Sequence, residues 1–176
     1  MSRTIRIGTI ALLVILMITL TAACTKKIDT SDFISILAKR QISAQVVQNP
    51  NSENGNVEIV SGVKKVSGTK NQGIRVFLYT SGDVAAAKDY YTKQQQLFDS
   101  IASSEGVTGS CDKTESKDVQ KTIAKLSFLN DDGSAGGTYS VLIQTGRSVI
   151  TIVADGADDI VVAEVDQIVN DLGFGE

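Results

Sequence analysis

TIAKLSFLNDDGSAGGTYSVLIQTGRSVITIVA, Thr122–Ala154, carries the information that decides the fold class. Three runs rich in β-branched and aliphatic residues, Thr122–Leu129, Thr138–Thr145 and Val149–Ala154, are broken by two stretches of turn chemistry. The first break, Asn130–Gly137, reads Asn-Asp-Asp-Gly-Ser-Ala-Gly-Gly; the second is only Gly146-Arg147. A parallel strand pair needs a crossover of a dozen or more residues, so a two-residue link joins antiparallel neighbours. The segment is therefore a three-stranded meander.

The elements to either side agree with that reading. Downstream, Asp155–Asp158 offers acids for a helix start. Val161, Val165, Ile168 and Leu172 then recur at helical spacing, with Val162 and Val169 widening the stripe. Gly173 stands where a left-handed cap residue belongs, and Phe174 is placed to fold back on the last turn. Upstream, Ser81 or Asp83 caps a helix whose stripe is Val84, Ala87, Tyr91, Gln94, Phe98 and Ile101, flanked by Leu97. Between this helix and the meander, Ser103–Lys117 has no period and reads as a long loop.

The amino-terminal half supplies one more helix and three more extended runs. Ser31-Asp32 reads as an N-cap with a first-turn acid, and Phe33, Ile36, Leu37 and Arg40 share a helix face. Ile42–Val46 alternates as a strand. Gln48–Asn56, which holds the single proline, is a loop. Val57–Val66 and Ile74–Thr80 are extended, with a turn over Ser67–Gly73. Hairpins dominate and βαβ alternation is absent. The expected class is α+β, a mainly antiparallel sheet of about five to six strands covered by three helices.

The first 23 residues differ from the rest. Arg3 and Arg6 give a basic start, and a 17-residue apolar run, Ile7–Ala23, ends in small residues directly before Cys24. Thr25-Lys26-Lys27 turns the chain polar at once. Basic region, apolar region and small-residue cleavage site make an export signal. Leu20-Thr21-Ala22-Ala23-Cys24 resembles the lipobox of bacterial lipoproteins, although Thr21 stands where the aliphatic residue is usual. The resemblance implies cleavage between Ala23 and Cys24, and a diacylglyceryl group on the Cys24 thiol. An uncleaved signal anchor and plain secretion are the alternatives, since 17 residues lie at the short end for a bilayer span. Two acyl chains suffice for stable anchoring where one is marginal. Residues 1–23 are thus expected as signal peptide, 24–30 as tether and 31–176 as one α+β domain.

The mature region as a whole resembles small exported membrane lipoproteins, of the kind common in Gram-positive bacteria and of mostly unassigned function. The shared features are Asp32-Phe33, Ile74–Tyr79 (Ile-Arg-Val-Phe-Leu-Tyr), Ala87–Tyr91 (Ala-Lys-Asp-Tyr-Tyr), Gly146–Val153 and Leu172-Gly173-Phe174. The resemblance implies an α+β domain on the outer face of the cell membrane, and it carries no catalytic residue.

Composition narrows the chemistry. With Arg3 and Arg6 set aside, 15 of the 17 basic side chains remain against 20 acidic ones, a net of −5. An acidic chain of this kind is not a nucleic-acid binder. The chain has no His and only two Cys, which excludes imidazole catalysis, Cys/His zinc sites and a framework of several disulfides.

Ser61/Lys64, Ser67/Lys70 and Ser110/Lys113 match the Ser-x-x-Lys pattern of penicillin-binding enzymes, but the Ser-Asp-Asn and Lys-Thr-Gly partners are missing. Gly62–Lys70 has the wrong spacing and order for a phosphate loop. Asp131, Asp132, Asp155, Asp158 and Asp159 read as turn and cap residues, not as a calcium loop. Cys111 reads as an inert loop thiol beside Asp112, and Tyr79, Tyr90, Tyr91 and Phe98 as core and rim.

No catalytic residue, metal ligand or cofactor is expected. The expectation is a non-enzymatic binding or interaction module held at the membrane through Cys24, facing outside the cytoplasm, with a protein or small-molecule partner. The alternatives are an accessory subunit of an envelope complex, or an envelope enzyme using Asp/Glu, Lys and Tyr.

Overall fold

A computed structural model describes residues 28–48, 58–67, 72–130 and 132–175. The segment expected as export signal, Ala23, Cys24, Pro50, Lys70 and Asp131 lie outside the described residues.

Helix α1 spans Thr30–Lys39, followed by β1 (Ser43–Gln48), β2 (Glu58–Lys65) and β3 (Gly73–Thr80). Helix α2 spans Val84–Ala102; β4 (Thr108–Glu115), β5 (Val119–Leu129), β6 (Ala135–Thr145) and β7 (Ser148–Asp155) follow, and α3 (Asp159–Asp171) closes the chain. The strands form one antiparallel sheet in the order β1-β2-β3-β7-β6-β5-β4. The class is α+β with three helices, as expected, but the described sheet has seven strands, not five to six.

The added strand is β4, which occupies most of the segment read as a loop. It is an edge strand whose residues are exposed apart from a half-buried Cys111, so it carries no apolar alternation to read. Its order comes from the ladder to β5, from Thr108 opposite Ser127 to Glu115 opposite Gln120. At Gly109 φ is +142°, and a Cβ would fall on the Lys125 carbonyl. Only glycine lets the backbones meet there.

Helices α1 and α3 cover one face. Phe33 and Leu37 of α1, and Val161, Val165 and Ile168 of α3, join Val60, Val76, Leu78, Val141, Ile143, Ile150 and Ile152 in the larger core cluster. Helix α1 approaches β2 closely because Gly62 has no side chain; a Cβ there would lie 2.8 Å from Ile42 Cγ2 and 3.4 Å from Leu37 Cδ1. Helix α2 lies on the opposite face, where Ala87, Tyr91 and Phe98 pack with Ala124, Leu126, Leu142 and Val149. The α2 stripe is narrower than its sequence suggests. Val84 and Ile101 are 45% and 42% exposed, while Ala87 and Ala102 of the same turns pack against the smaller core cluster.

The amino terminus also differs from expectation. Asp29 supplies the N-cap of α1 in place of Ser31, accepting from the Ser31 N–H at 3.0 Å. Ile28 is buried in the larger cluster, so the folded part begins within the stretch read as a tether. Helices α1 and α3 end alike. Ile42 N–H donates to Leu37 O and Gln41 N–H to Ala38 O; Phe174 N–H donates to Val169 O and Gly173 N–H to Asn170 O. Both are Schellman motifs that bury the hydrophobe after the left-handed residue. At α3 that residue is Gly173; at α1 it is Gln41, with φ of 60°.

A non-glycine residue in the left-handed region costs about 1–3 kcal/mol. Gln41→Gly is therefore expected to stabilise the fold by about 1 kcal/mol, read as a higher denaturation midpoint at unchanged m-value. Phe98→Ala is expected to cost about 3–5 kcal/mol in the same measurement. An unchanged melt would show that α2 docks by another face.

Candidate functional site

One end of the sheet gathers polar and charged side chains from several strand ends. There β3 ends at Thr80, β4 at Glu115 and β6 at Thr145, while β5 begins at Val119 and β7 at Ser148. The first turn of α2 and Ile28 meet them, and a cavity of about 590 Å³ opens between these segments. Its volume is that of a small-molecule site. The lining is mixed: Ile28, Val84 and Val119 are apolar, Gln120, Gln144, Thr145 and Ser148 are neutral polar, and Lys88, Lys117, Arg147, Glu115 and Asp118 are charged.

Local hydrogen bonds fix this rim. Gly146-Arg147 is the two-residue turn expected from sequence; Gly146 has φ of +53°, and Gln144 Nε2 donates to its carbonyl at 2.8 Å. Ser81 N–H donates to Arg147 O at 2.9 Å, and Arg147 Nη1 donates to Gly82 O at 3.2 Å. Together these bonds tie the β3–α2 link to the β6–β7 turn. On the other side, Ser116 N–H donates to Val119 O at 2.8 Å and Gln120 Nε2 to Glu115 Oε1 at 2.8 Å, closing the β4–β5 turn. Gln144, Thr145, Ser148 and Ser81 are all buried.

The patterns weighed in the sequence lie elsewhere and are dispersed. Ser61 and Lys64 point to opposite faces of β2, where Lys64 forms an ion pair with Glu164 of α3. Ser110 donates to Asp112 Oδ2 at 2.9 Å, whereas Lys113, on the other face of β4, pairs with Asp99 at 2.8 Å. The described acids are taken up as turn and cap groups. Asp132 accepts from Ser134 N–H and Oγ, which holds its carboxyl below the usual range. Asp158 caps α3; Gln72 first, then the helix N–H groups, lower its pKa. Asp155 pairs with Arg75. Among the described residues no group of three or more acidic or Cys side chains converges to hold a metal ion.

The aromatic residues serve packing. Tyr91 Oη lies 2.7 Å from Thr122 Oγ1 in the α2 core, and burial raises its pKa. Tyr79 and Tyr90 stack with ring centroids 4.1 Å apart and planes 11° from parallel, clamping α2 to β3. Cys111 is on strand β4 and faces α2, so it is not a loop thiol. Burial pushes its pKa up, and the hydrogen bond and charge of Asp99 add to that more than Asp112 does.

The cavity was not foreseen. Its residues come from turns and strand ends up to 120 positions apart (Ile28 to Ser148), and no local pattern announces their meeting.

No protein-family model matches the chain, and no curated protein matches it. Among solved structures, an X-ray structure of an uncharacterized protein from Mycobacterium smegmatis aligns over 82% of this chain and 99% of its own, at 8% identity. Its TM-score of 0.38 is too low for that likeness to bear on fold or function.

The raised Cys111 pKa gives a signed expectation. Between neutral pH and its elevated pKa, alkylation by iodoacetamide should be slower than for a free thiol. Asp99→Asn should shift the alkylation profile to lower pH while burial keeps it above that of a free thiol. A profile unmoved by Asp99→Asn would remove Asp99 as a cause and leave burial as the main one.

Proposed function

We propose that this is a lipid-anchored extracytoplasmic protein that acts as a non-enzymatic binding module, with the cavity at the sheet end as its binding site. Cys24 carries the diacylglyceryl group after cleavage at Ala23, and the domain faces outward from the cell membrane. The cavity is the observation that carries the binding part of this reading. It has the volume of a small-molecule site, a rim fixed by backbone hydrogen bonds, and charged groups of both signs in its lining. Such a lining holds a ligand by hydrogen bonds and charge. The anchoring part rests on the signal-like segment and the lipobox resemblance. Among the described residues no helix is long and apolar enough to cross a membrane.

A second reading, an accessory subunit of an envelope complex, draws on a different observation. Among the described residues helix α2 packs over β4–β7 and reaches β3 only through Tyr79, and no other helix covers β1 and β2 on this face. Val47 and Val63 are exposed there, 46% and 58%, beside half-buried Ile59 and Phe77. Exposed apolar side chains gathered on one sheet face are a common mark of protein contact.

Metabolic labelling with palmitate tests the anchor. The wild-type chain is expected to incorporate label at a mass lacking residues 1–23, and Cys24→Ala to stay unlabelled and either uncleaved or released. A labelled Cys24→Ala chain, or an unlabelled wild-type chain that remains membrane-bound, would replace the lipoprotein reading with a signal anchor.

A further inference from the structure

Ile28 connects the proposed anchor to the cavity. It is buried, it lines the cavity, and Asp29 directly after it caps α1. Only four residue steps separate Ile28 from Cys24. An extended chain advances at most about 3.3–3.6 Å per residue, so four steps reach roughly 14 Å. An acyl group on Cys24 would therefore hold this end of the sheet within about 14 Å of the headgroup layer. No other end of the domain is so constrained.

Three cations on the cavity rim bear on the same end. Lys88, Lys117 and Arg147 come from three separate segments to one rim, and all are exposed. Among the described residues none of the three has a carboxylate at ion-pair distance, whereas Arg40, Lys64, Arg75, Lys93 and Lys113 each do. The lining also holds Glu115, which accepts from Gln120, and Asp118. The cap carboxylates Asp29 and Asp83 lie nearby, each turned onto the N–H groups of its own helix. In this lining three cations face two carboxylates, and the cap acids Asp29 and Asp83 bring the carboxylates of this end to at least four, so the cationic feature is the rim formed by Lys88, Lys117 and Arg147 and not the end as a whole. Among the described residues the opposite end of the sheet holds Asp132, Asp155, Asp158 and Asp159, beside Lys65 and the Asp155-paired Arg75.

We propose that the sheet end bearing the cavity is the membrane-facing surface, and that Lys88, Lys117 and Arg147 take the phosphate of a phospholipid headgroup from the bilayer in which the chain is anchored. This rests on lipidation at Cys24. The chemistry suits the groups: a guanidinium fork engages phosphate oxygens in pairs, and two ammonium groups add point charges. One N–H of Arg147 is already spent on Gly82 O, which holds the side chain at the rim.

The test uses the purified mature lipoprotein in three settings: detergent, phosphatidylcholine vesicles, and phosphatidylcholine vesicles with about one-third phosphatidylglycerol. Pulsed acetylation read by mass spectrometry reports each lysine. In the anionic vesicles, Lys88 and Lys117 are expected to label about fivefold more slowly than in detergent, with Lys65 and Lys125 unchanged. Raising ionic strength from about 0.01 to about 0.15 M, which shortens the Debye length from about 30 to about 8 Å, should weaken that protection. Lys117→Glu should weaken it at Lys88.

Equal labelling of Lys88 and Lys117 in vesicles and detergent, with the protein still sedimenting with the vesicles, overturns the proposal and leaves the anchor standing. Protection of Lys65 and Lys125 instead overturns it by showing the reverse orientation. Equivalent protection in detergent by millimolar glycerol phosphate assigns the cavity to a soluble phosphate ester and overturns the bilayer as source. A Cys24 without lipid mass, on a chain that stays in the supernatant, removes both the anchor and the proposal.

Discussion

The β6–β7 hairpin is held between two helix layers, and the rest of the molecule is arranged around that double burial. Val141, Ile143, Ile150 and Ile152 face α1 and α3, while Leu142 and Val149 face α2. Side chains alternate along a strand, so a one-residue slip between β6 and β7 would exchange these sets and set both helix interfaces against the wrong residues. The Gly146-Arg147 turn fixes the register at one end, with Thr145 opposite Ser148. From this hairpin the sheet grows outward in both directions, through β3 beside β7 and β5 beside β6.

Coverage falls away unevenly from that centre. One face has two helices, joined to each other and to the sheet by charged groups as well as by apolar contact. Arg40 at the end of α1 reaches Asp171 at 2.6 Å and Gln167 at 2.6 Å on α3, and Lys64 of β2 meets Glu164. The ion pairs are partly exposed and contribute modestly; the apolar burial beneath them carries the stability. Among the described residues the other face has α2 alone. Helix α2 reaches β4 through Cys111 and the Lys113–Asp99 pair, and reaches β3 through the Tyr79–Tyr90 stack. The outer part of β1–β3 is left to solvent.

The candidate site follows from where the strands stop. Chain reversals at β3–α2, β4–β5 and β6–β7 all fall at one end, and reversals need polar, turn-forming residues. The cavity between them is polar for the same reason that the sheet ends there. Its position beside Ile28 is independent of that cause and comes from the way α1 enters the larger core. These two circumstances together place a charged cavity next to the segment that would carry a lipid.

The elements with a buried face could be read directly from the sequence. Ala87, Tyr91 and Phe98, and Val161, Val165 and Ile168, repeat at helical spacing because burial demands it, and all are buried. Gly173-Phe174 and Gly146-Arg147 could be read because left-handed and two-residue turns restrict residue type locally. Strand β4 could not be read, since an edge strand held by its ladder to β5 needs no apolar pattern. Asp29 and Ser31 are equally good caps by residue type, so sequence alone does not choose between them; in the fold Asp29 caps α1 directly after the buried Ile28. The apolar stripe of α2 is longer in sequence than in contact, because spacing alone does not show which stripe residues the sheet reaches. The sequence by itself therefore determined the α+β class, the three helices and six of the seven strands, all governed by local periodicity and turn chemistry. Only the tertiary structure decided the strand order, the seventh strand and the cavity, because each depends on which distant segments are brought side by side.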